Sequence, residues 1–307
     1  MKPLIAITIG DFNGIGPEIA LKAALHPAII KICRPLLVGP YHVFDHAAKQ
    51  FKIKARPVKV SLPLLLKGAL PVIDVADGIG ADIQYGIPTK VSGRSAGVAI
   101  EKAVELCVQK KVQAMVTAPA SKEALNLAGY SFPGQTEMVA LLSRSQRVAM
   151  MFVSDVLRIG LVTIHSPVKD ILSGITKEKI VEKISIVDEM LKVDLGIKKP
   201  RLALLALNPH AGEHGLLGEE ESSLLNPSLA EAQNAGIDIK GPFPADAFFG
   251  THVYKRYDAV IAMYHDQGLI PLKMLAFEKG VNVSAGLKIV RTSPDHGTAY
   301  EDRKSVV

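Results

Sequence analysis

The chain has 307 residues, 48% of them hydrophobic and 21% charged, with a net charge of +6 at neutral pH. That length allows about two domains, and the balance of apolar and charged residues excludes wholesale disorder. Only 5% of residues are aromatic and none is Trp, which makes poor base-stacking platforms, so the basic excess suits an anionic small substrate at least as well as nucleic acid. Two cysteines, Cys33 and Cys107, exclude a disulfide scaffold and fit a reducing, cytoplasmic setting. No apolar run approaches the ~20 residues of a membrane span, and MKPLIAITIGDFNG reads as a first strand rather than a signal peptide.

Taken in order, apolar stretches of strand length alternate with helical patterns. Leu4–Ile9 is a strand that meets the turn Gly10-Asp11-Phe12-Asn13-Gly14, and Pro17-Glu18 opens a helix through Leu25. Leu36–Val38 is a second strand. Ala96–Val108 carries Ile100, Ala103, Val104 and Cys107 on one helical face. Ala114–Thr117 is a strand, and Ser121–Leu127 starts a helix. Val148–Val153 and Leu157–Thr163 form a strand pair. Thr176 caps a long helix with Ile180, Ile184, Val187 and Leu191 on one stripe. Leu202–Leu207 and Ala259–Met263 are strands apolar on both faces. The alternation predicts an α/β architecture with a mainly parallel sheet. No repeat or linker marks a domain boundary.

Three histidines share one context. LRIGLVTIH ends at His165, RLALLALNPH at His210 and DAVIAMYH at His265, each near the carboxyl end of an apolar strand, where open α/β sheets bind ligands. Three neutral imidazoles suit Zn²⁺ or a related divalent ion and leave an open coordination position for substrate. Asp246 and Asp266 are placed to ligate or orient a ligand. The competing reading, three unrelated polar residues at loop starts, stands beside this one. His214, His252 and His296 are weaker candidates, and His26, His42 and His46 read as surface residues.

Groups for an anion follow the last histidine: Lys273, Asn282 and Arg291, with Thr136 in FPGQTEM and Ser121-Lys122 in TAPASKEAL. Each alone is also ordinary surface polarity. The turn Gly10–Gly16 has the context of an anion site at a helix N-terminus. Its glycines fit neither the dinucleotide nor the P-loop pattern, and a tight turn needing positive φ accounts for them equally. Cys33 and Cys107 read as packing residues rather than nucleophiles.

GDFNGIGPEI, TAPASKEAL, FPGQTEM, LNPHAGEHG, PADAFF, MYHDQGLIPLK and IVRTSPDHGTA together resemble the 4-hydroxythreonine-4-phosphate dehydrogenases of pyridoxal phosphate synthesis over nearly the whole chain. The resemblance implies two α/β/α domains around a central cleft, like isocitrate and isopropylmalate dehydrogenases, with non-Rossmann dinucleotide binding. The expected domains are residues 1–135 plus 270–307 on the dinucleotide side and 136–269 on the metal and dimer side. It further implies a homodimer, a divalent metal (zinc, magnesium or cobalt) near the subunit interface, and NAD or NADP as cofactor.

Carried over by position, the metal ligands are His165, His210 and His265. The substrate contacts are Gln135, Thr136, Lys273, Asn282 and Arg291, and Asp295, His296, Gly297 and Thr298 belong to the dinucleotide region. Asp246, a carboxylate near the metal, and Lys273 are the catalytic candidates. The implied reaction oxidises the secondary hydroxyl of a small phosphorylated amino acid, 4-hydroxythreonine 4-phosphate. The product, 2-amino-3-oxo-4-phosphobutanoate, loses CO₂ to give 3-amino-2-oxopropyl phosphate. No nucleic acid or membrane partner is implied.

Two features depart from the family pattern. Gly134-Gln135-Thr136-Glu137 stands where the family usually has G-H-T-E, and Gln cannot titrate. The text after Ala299 is YEDRKSVV where the family continues F-D-I-A-G-K-G into a final helix, so the chain reads as lacking that helix. A dehydrogenase of a four-carbon acid phosphate (erythronate or threonate 4-phosphate), a non-catalytic metal- or ligand-binding relative and a metal-dependent hydrolase remain as competing functions.

Overall fold

The computed structural model describes residues 2–61, 68–75, 82–277 and 279–301. In chain order its elements begin with β1 (Leu4–Thr8), α1 (Gly16–Leu25), α2 (Pro27–Ile32), β2 (Arg34–Val38), α3 (Tyr41–Gln50), β3 (Pro57–Val60), β4 (Leu70–Ile73), α4 (Lys90–Val108), β5 (Ala114–Val116), α5 (Lys122–Leu127) and α6 (Gln135–Leu142). They continue with β6 (Ala149–Val153), β7 (Arg158–Leu161), α7 (Lys177–Val193), β8 (Arg201–Leu205), α8 (Asn226–Asn234), β9 (Asp238–Phe243), α9 (Ala245–Gly250), β10 (Ala259–Ala262), α10 (His265–Ala276), β11 (Val281–Ala285) and β12 (Val290–Pro294). The fold is α/β. The chain divides into two compact units, one running up to Gln146 and resuming at Leu287, the other spanning Arg147–Gly286. Lys273 and Asn282 therefore belong to the second unit. The residues after Glu301, on which the expectation of a missing helix bears, lie outside the described residues.

In the first unit the strand order is β3-β4-β2-β1-β5-β12, and every pairing is parallel. Parallel strands covered on both faces must be apolar on both faces, and Leu36, Leu37 and Val38 of β2 are all fully buried. Helix α4 starts earlier than its apolar stripe predicts. Thr89 accepts from the Ser92 amide, and the Ser92 hydroxyl accepts from the Thr89 amide, a reciprocal cap that extends the helix back to Lys90. The cap was hidden because it reads T-x-x-S. Its stripe buries Ile100, Ala103, Val104 and Cys107. Burial pushes the Cys107 thiol up to about 12, so it packs as an inert apolar group, as its sequence context predicts.

In the second unit the order is β11-β6-β7-β10-β8-β9. β6 runs antiparallel to both its neighbours, while β7, β10, β8 and β9 are parallel in sequence of position. Alternation within each strand separates two cores. Leu202, Leu204 and Ile261 pack with Ile180, Ile184, Val187 and Leu191 of α7. Ala203, Leu205, Val260 and Ala262 pack with Phe248 of α9 and Leu269 and Leu272 of α10. One helical layer thus covers each face. The pairing of β7 with β10 continues past the strand ends through Val162 N–H to Ala262 O, 2.9 Å, and Thr163 N–H to Met263 O, 3.1 Å.

Candidate functional site

The Gly-rich turn of the first unit is already filled by an anion of its own chain. Asp11 follows β1 and is fully buried. Its Oδ1 accepts from the Asn13 amide at 2.9 Å, and its Oδ2 accepts from the Ser92 hydroxyl at 3.0 Å and the Tyr300 hydroxyl at 2.8 Å. Burial raises its carboxyl above the ordinary 3.8, while the bonds to Asn13, Tyr300 and Ser92 pull the other way. Of the two readings of this turn, an external anion site or a tight turn, the structure shows the Asn13 amide already taken by the chain's own carboxylate. Gly10 has φ +69, the left-handed region. Gly14 does not need such an angle: a Cβ there would overlap the Thr298 carbonyl, which accepts from the Ile15 amide at 3.0 Å. Close approach of residue 298, rather than turn geometry, is what excludes a side chain at position 14.

Asn13 extends the same hub. Its side chain accepts from the Gln84 amide at 2.8 Å and donates to the Ile87 carbonyl at 2.8 Å and the Thr89 hydroxyl at 3.2 Å. In the 295–298 segment, His296 and Gly297 are exposed while Asp295 and Thr298 are half-buried. The sequence singled out 295–298 but did not mark Asp11 or Tyr300. The only signal for Asp11 was an acid lodged in an apolar and Gly-rich turn at a strand end.

Arg291, on β12, is buried with 3% exposure. Its Nε and Nη2 donate to the Thr117 hydroxyl at 3.1 and 2.6 Å, and Nη1 donates to the Thr136 hydroxyl at 3.2 Å. Desolvation lowers the guanidinium to about 10, opposed by the Glu137 charge, so it remains protonated at neutral pH. Thr136 stands in the first turn of α6 and Thr117 just past β5, so the first part of β12, the end of β5 and the start of α6 meet at this cation. Thr117 was the missed member. Gln135, beside Thr136, buries its Oε1 with no hydrogen-bond partner among the described residues. Ser121 does not join this group: its hydroxyl accepts from the Ala124 amide at 3.2 Å and caps α5, and Lys122 is exposed.

In the second unit, His165, His265 and His210 follow β7, β10 and β8, three adjacent parallel strands with His265 in the middle. The His165 and His265 rings are neighbours, with centroids 5.9 Å apart and planes tilted by 43°. Asp266 Oδ1 lies 2.7 Å from His265 Nδ1, which orients the ring and leaves Nε2 as the outward donor atom. His210 is not gathered with them. It begins a left-handed run over residues 210–214 that carries it outward into exposure. Among the described residues no three His, Cys, Asp or Glu side chains are grouped tightly enough to hold a metal. The donor chemistry of the neighbouring pair fits a borderline divalent ion, and the third imidazole stands on the same edge of the sheet.

The loop leading to His210 hangs on a second buried carboxylate that sequence reasoning missed. Glu221 Oε1 accepts from the Leu207 and Asn208 amides at 2.8 and 2.7 Å, and Oε2 accepts from the Asn208 side chain at 2.9 Å. Within the run GEEESS nothing in the sequence distinguished it from solvated acids. Lys273 and Asp246 are exposed, on α10 and α9. Asn282, on β11, buries its Oδ1 with no partner among the described residues. His42 is half-buried rather than superficial, and His26 accepts from the Ala28 amide as the cap of α2.

The profile of the family described as "Pyridoxal phosphate biosynthetic protein PdxA" matches residues 31–305. The chain is 44% identical over 305 residues to the 4-hydroxythreonine-4-phosphate dehydrogenase of Trichlorobacter lovleyi, covering 97% of this chain and 91% of that protein. The Geobacter metallireducens protein of the same name is also 44% identical, covering 98% and 89%. Among solved structures, the 4-hydroxythreonine-4-phosphate dehydrogenase of Klebsiella pneumoniae superposes with a TM-score of 0.89 at 34% identity, covering 100% of this chain and 93% of that one. No helix among the described residues is long and apolar enough to cross a membrane. The chain belongs to the PdxA family of pyridoxal phosphate biosynthetic proteins, whose relatives named here are dehydrogenases.

Proposed function

We propose that the chain oxidises the secondary hydroxyl of 4-hydroxythreonine 4-phosphate, as a divalent-metal- and NAD(P)-dependent dehydrogenase of the cytoplasm. One observation carries this reading: neighbouring imidazoles, His165 and His265, at the ends of adjacent parallel strands, in a chain 44% identical to enzymes of that name. His165 and His265, with His210 from the neighbouring strand end, are the residues that would hold zinc, magnesium or cobalt. Such an ion supplies Lewis acidity that makes a bound hydroxyl easier to deprotonate. NAD or NADP, against Asp295, His296, Gly297 and Thr298, supplies the hydride acceptor.

The chain's own residues divide the remaining work. Arg291 is a desolvated cation whose burial is offset by an anionic end of the substrate, and Thr136 shares its guanidinium. The buried oxygens Gln135 Oε1 and Asn282 Oδ1 accept from the substrate's ammonium or hydroxyl donors, since a buried acceptor left unpaired is costly. Lys273 while protonated adds a second point charge for the phosphate or carboxylate, and Asp246, or Lys273 in its neutral form, is the candidate proton acceptor. The oxidised product is a β-keto acid that loses CO₂. The active form is a homodimer: Ile270 and Met274 of α10 and Phe277 just past its end expose an apolar i, i+4, i+7 stripe on the helix that starts at His265.

A second substrate class is favoured by one residue. Gln135 keeps a donor and an acceptor but cannot carry a proton, which suits a four-carbon acid phosphate lacking the ammonium group. The test is NADH absorbance with purified protein, a divalent ion, NAD⁺ or NADP⁺, and 4-hydroxythreonine, erythronate or threonate 4-phosphate in turn. Preference for either sugar-acid phosphate overturns the first substrate, and turnover without dinucleotide overturns the dehydrogenase reading. For the ion, His210→Ala is expected to lower bound metal and activity together; unchanged metal content removes His210 from the ligand set.

A further inference from the structure

Asp11 is more than a turn acid. It brings four segments to one carboxylate: its own Gly-rich turn, the 84–89 loop through Asn13, the start of α4 through Ser92, and the 295–301 segment through Tyr300. Among the described residues, the three groups that donate to it are neutral. A buried carboxylate without a cation is an expensive way to close a turn, and an Asn side chain could satisfy the Asn13 amide equally well. What the carboxyl group adds is a second acceptor oxygen in place of an amide donor, and that oxygen is the one that takes Ser92 and Tyr300. The Tyr300 phenol is half-buried and also touches the Ser121 and Thr298 hydroxyls. Besides this phenol, the Ile15 amide bond to Thr298 O ties the segment to the turn. The exposed His296 and Gly297 lie directly between these anchors and β12.

We infer that Asp11 and Tyr300 form a latch that positions residues 295–298 to receive the dinucleotide, with Tyr300 and Asp11 as positioning residues rather than catalytic ones. This rests on the reading above that 295–298 contact NAD or NADP. The latch has a specific signature. Losing the phenol leaves the metal and phosphate-binding groups in place, so the effect belongs to dinucleotide KM and not to substrate KM.

The experiment is steady-state kinetics on the full chain with its metal, varying dinucleotide and substrate separately, for Tyr300→Phe, Asp11→Asn, the double variant and His296→Ala. Hydrogen exchange of residues 295–301 is followed in the same proteins. Tyr300→Phe is expected to raise dinucleotide KM about tenfold, the scale of one hydrogen bond to a charged acceptor, with substrate KM unchanged and faster exchange over 295–301. Asp11→Asn is expected to do the same, and the double variant to be no worse than either single, because both remove one interaction. Unchanged dinucleotide KM in Tyr300→Phe, while His296→Ala raises it, overturns the latch and leaves the cofactor assignment standing. If neither variant moves dinucleotide KM, the latch falls together with that assignment. Fully additive effects overturn the coupling of Asp11 to Tyr300.

Discussion

Each unit hangs a loop that follows a strand on a buried carboxylate, yet the two hubs are built differently. Asp11 collects donors from Ser92 and Tyr300, far away in sequence, and sits in the same unit as a buried cation, Arg291. Glu221 collects the amides of Leu207 and Asn208 and the side chain of Asn208, all from one nearby loop, and that loop delivers an exposed histidine. An acid that accepts from distant segments stiffens a site before its ligand arrives, because the entropy of ordering those segments is spent in folding. An acid that braces only its own loop leaves the neighbouring side chains open to solvent, as an exchangeable ion requires. The Asp11 hub thus joins segments far apart in the chain, whereas Glu221 braces the loop that leads to His210.

The sharpest way to break this contrast is at Arg291. Arg291→Lys loses the fork that engages Thr117 and Thr136, and kcat/KM is expected to fall about 100-fold or more, with metal content unchanged. A loss confined to metal content would assign Arg291 to the wrong half of the contrast. Next comes the orienting carboxylate of the histidine edge: Asp266→Asn is expected to weaken metal binding about tenfold, read by competition with a chelator, and to leave Arg291-dependent substrate binding intact. Equal metal affinity in variant and parent would show that the His265 ring needs no such partner.

Smaller effects follow at the hubs themselves. Glu221→Gln turns an amide donor toward the Asn208 side-chain donor, and a loss of about 1 kcal/mol is expected, measured as a lower denaturation midpoint. No loss would mean the loop is held by other contacts. The smallest is the pH response of Asp11. Its folded pKa lies above the ordinary value because of burial, so the folded chain holds this proton more tightly than the unfolded chain does. Its contribution is fully present below the unfolded carboxylate value and is lost as pH rises through the folded one. The midpoint of the parent protein should therefore carry a component that declines with rising pH from the acidic range upward, and Asp11→Asn should lack it. Parallel pH profiles for the two proteins would refute the raised pKa.

Much of the frame was legible before any coordinates. The apolar runs at β1, β2, β8 and β10 are strands, the stripe of α7 faces its core, and Thr176 caps that helix by accepting from the Lys179 amide. These follow from periodicity and capping, which act over a few residues. The three histidines could be placed at strand ends because strand ends are marked by the same periodicity. Less legible were α9, α10 and β9, whose mixed Pro, Gly and aromatic text has no clean period, and β12, where alternation is interrupted by Arg291.

Residue types and their order along the chain were enough to establish the α/β class, the strand-end histidines, the inert Cys107 and the family. Which histidines are neighbours, which glycine yields to a neighbouring carbonyl, and which acids are buried are outcomes of tertiary packing. Asp11 and Glu221 read in sequence like any solvated carboxylate. Only folding brings Tyr300 to Asp11 across most of the chain's length, and the loop at 207–208 to Glu221. Desolvation and long-range hydrogen bonds arise between segments far apart in the text, so no local pattern can encode them.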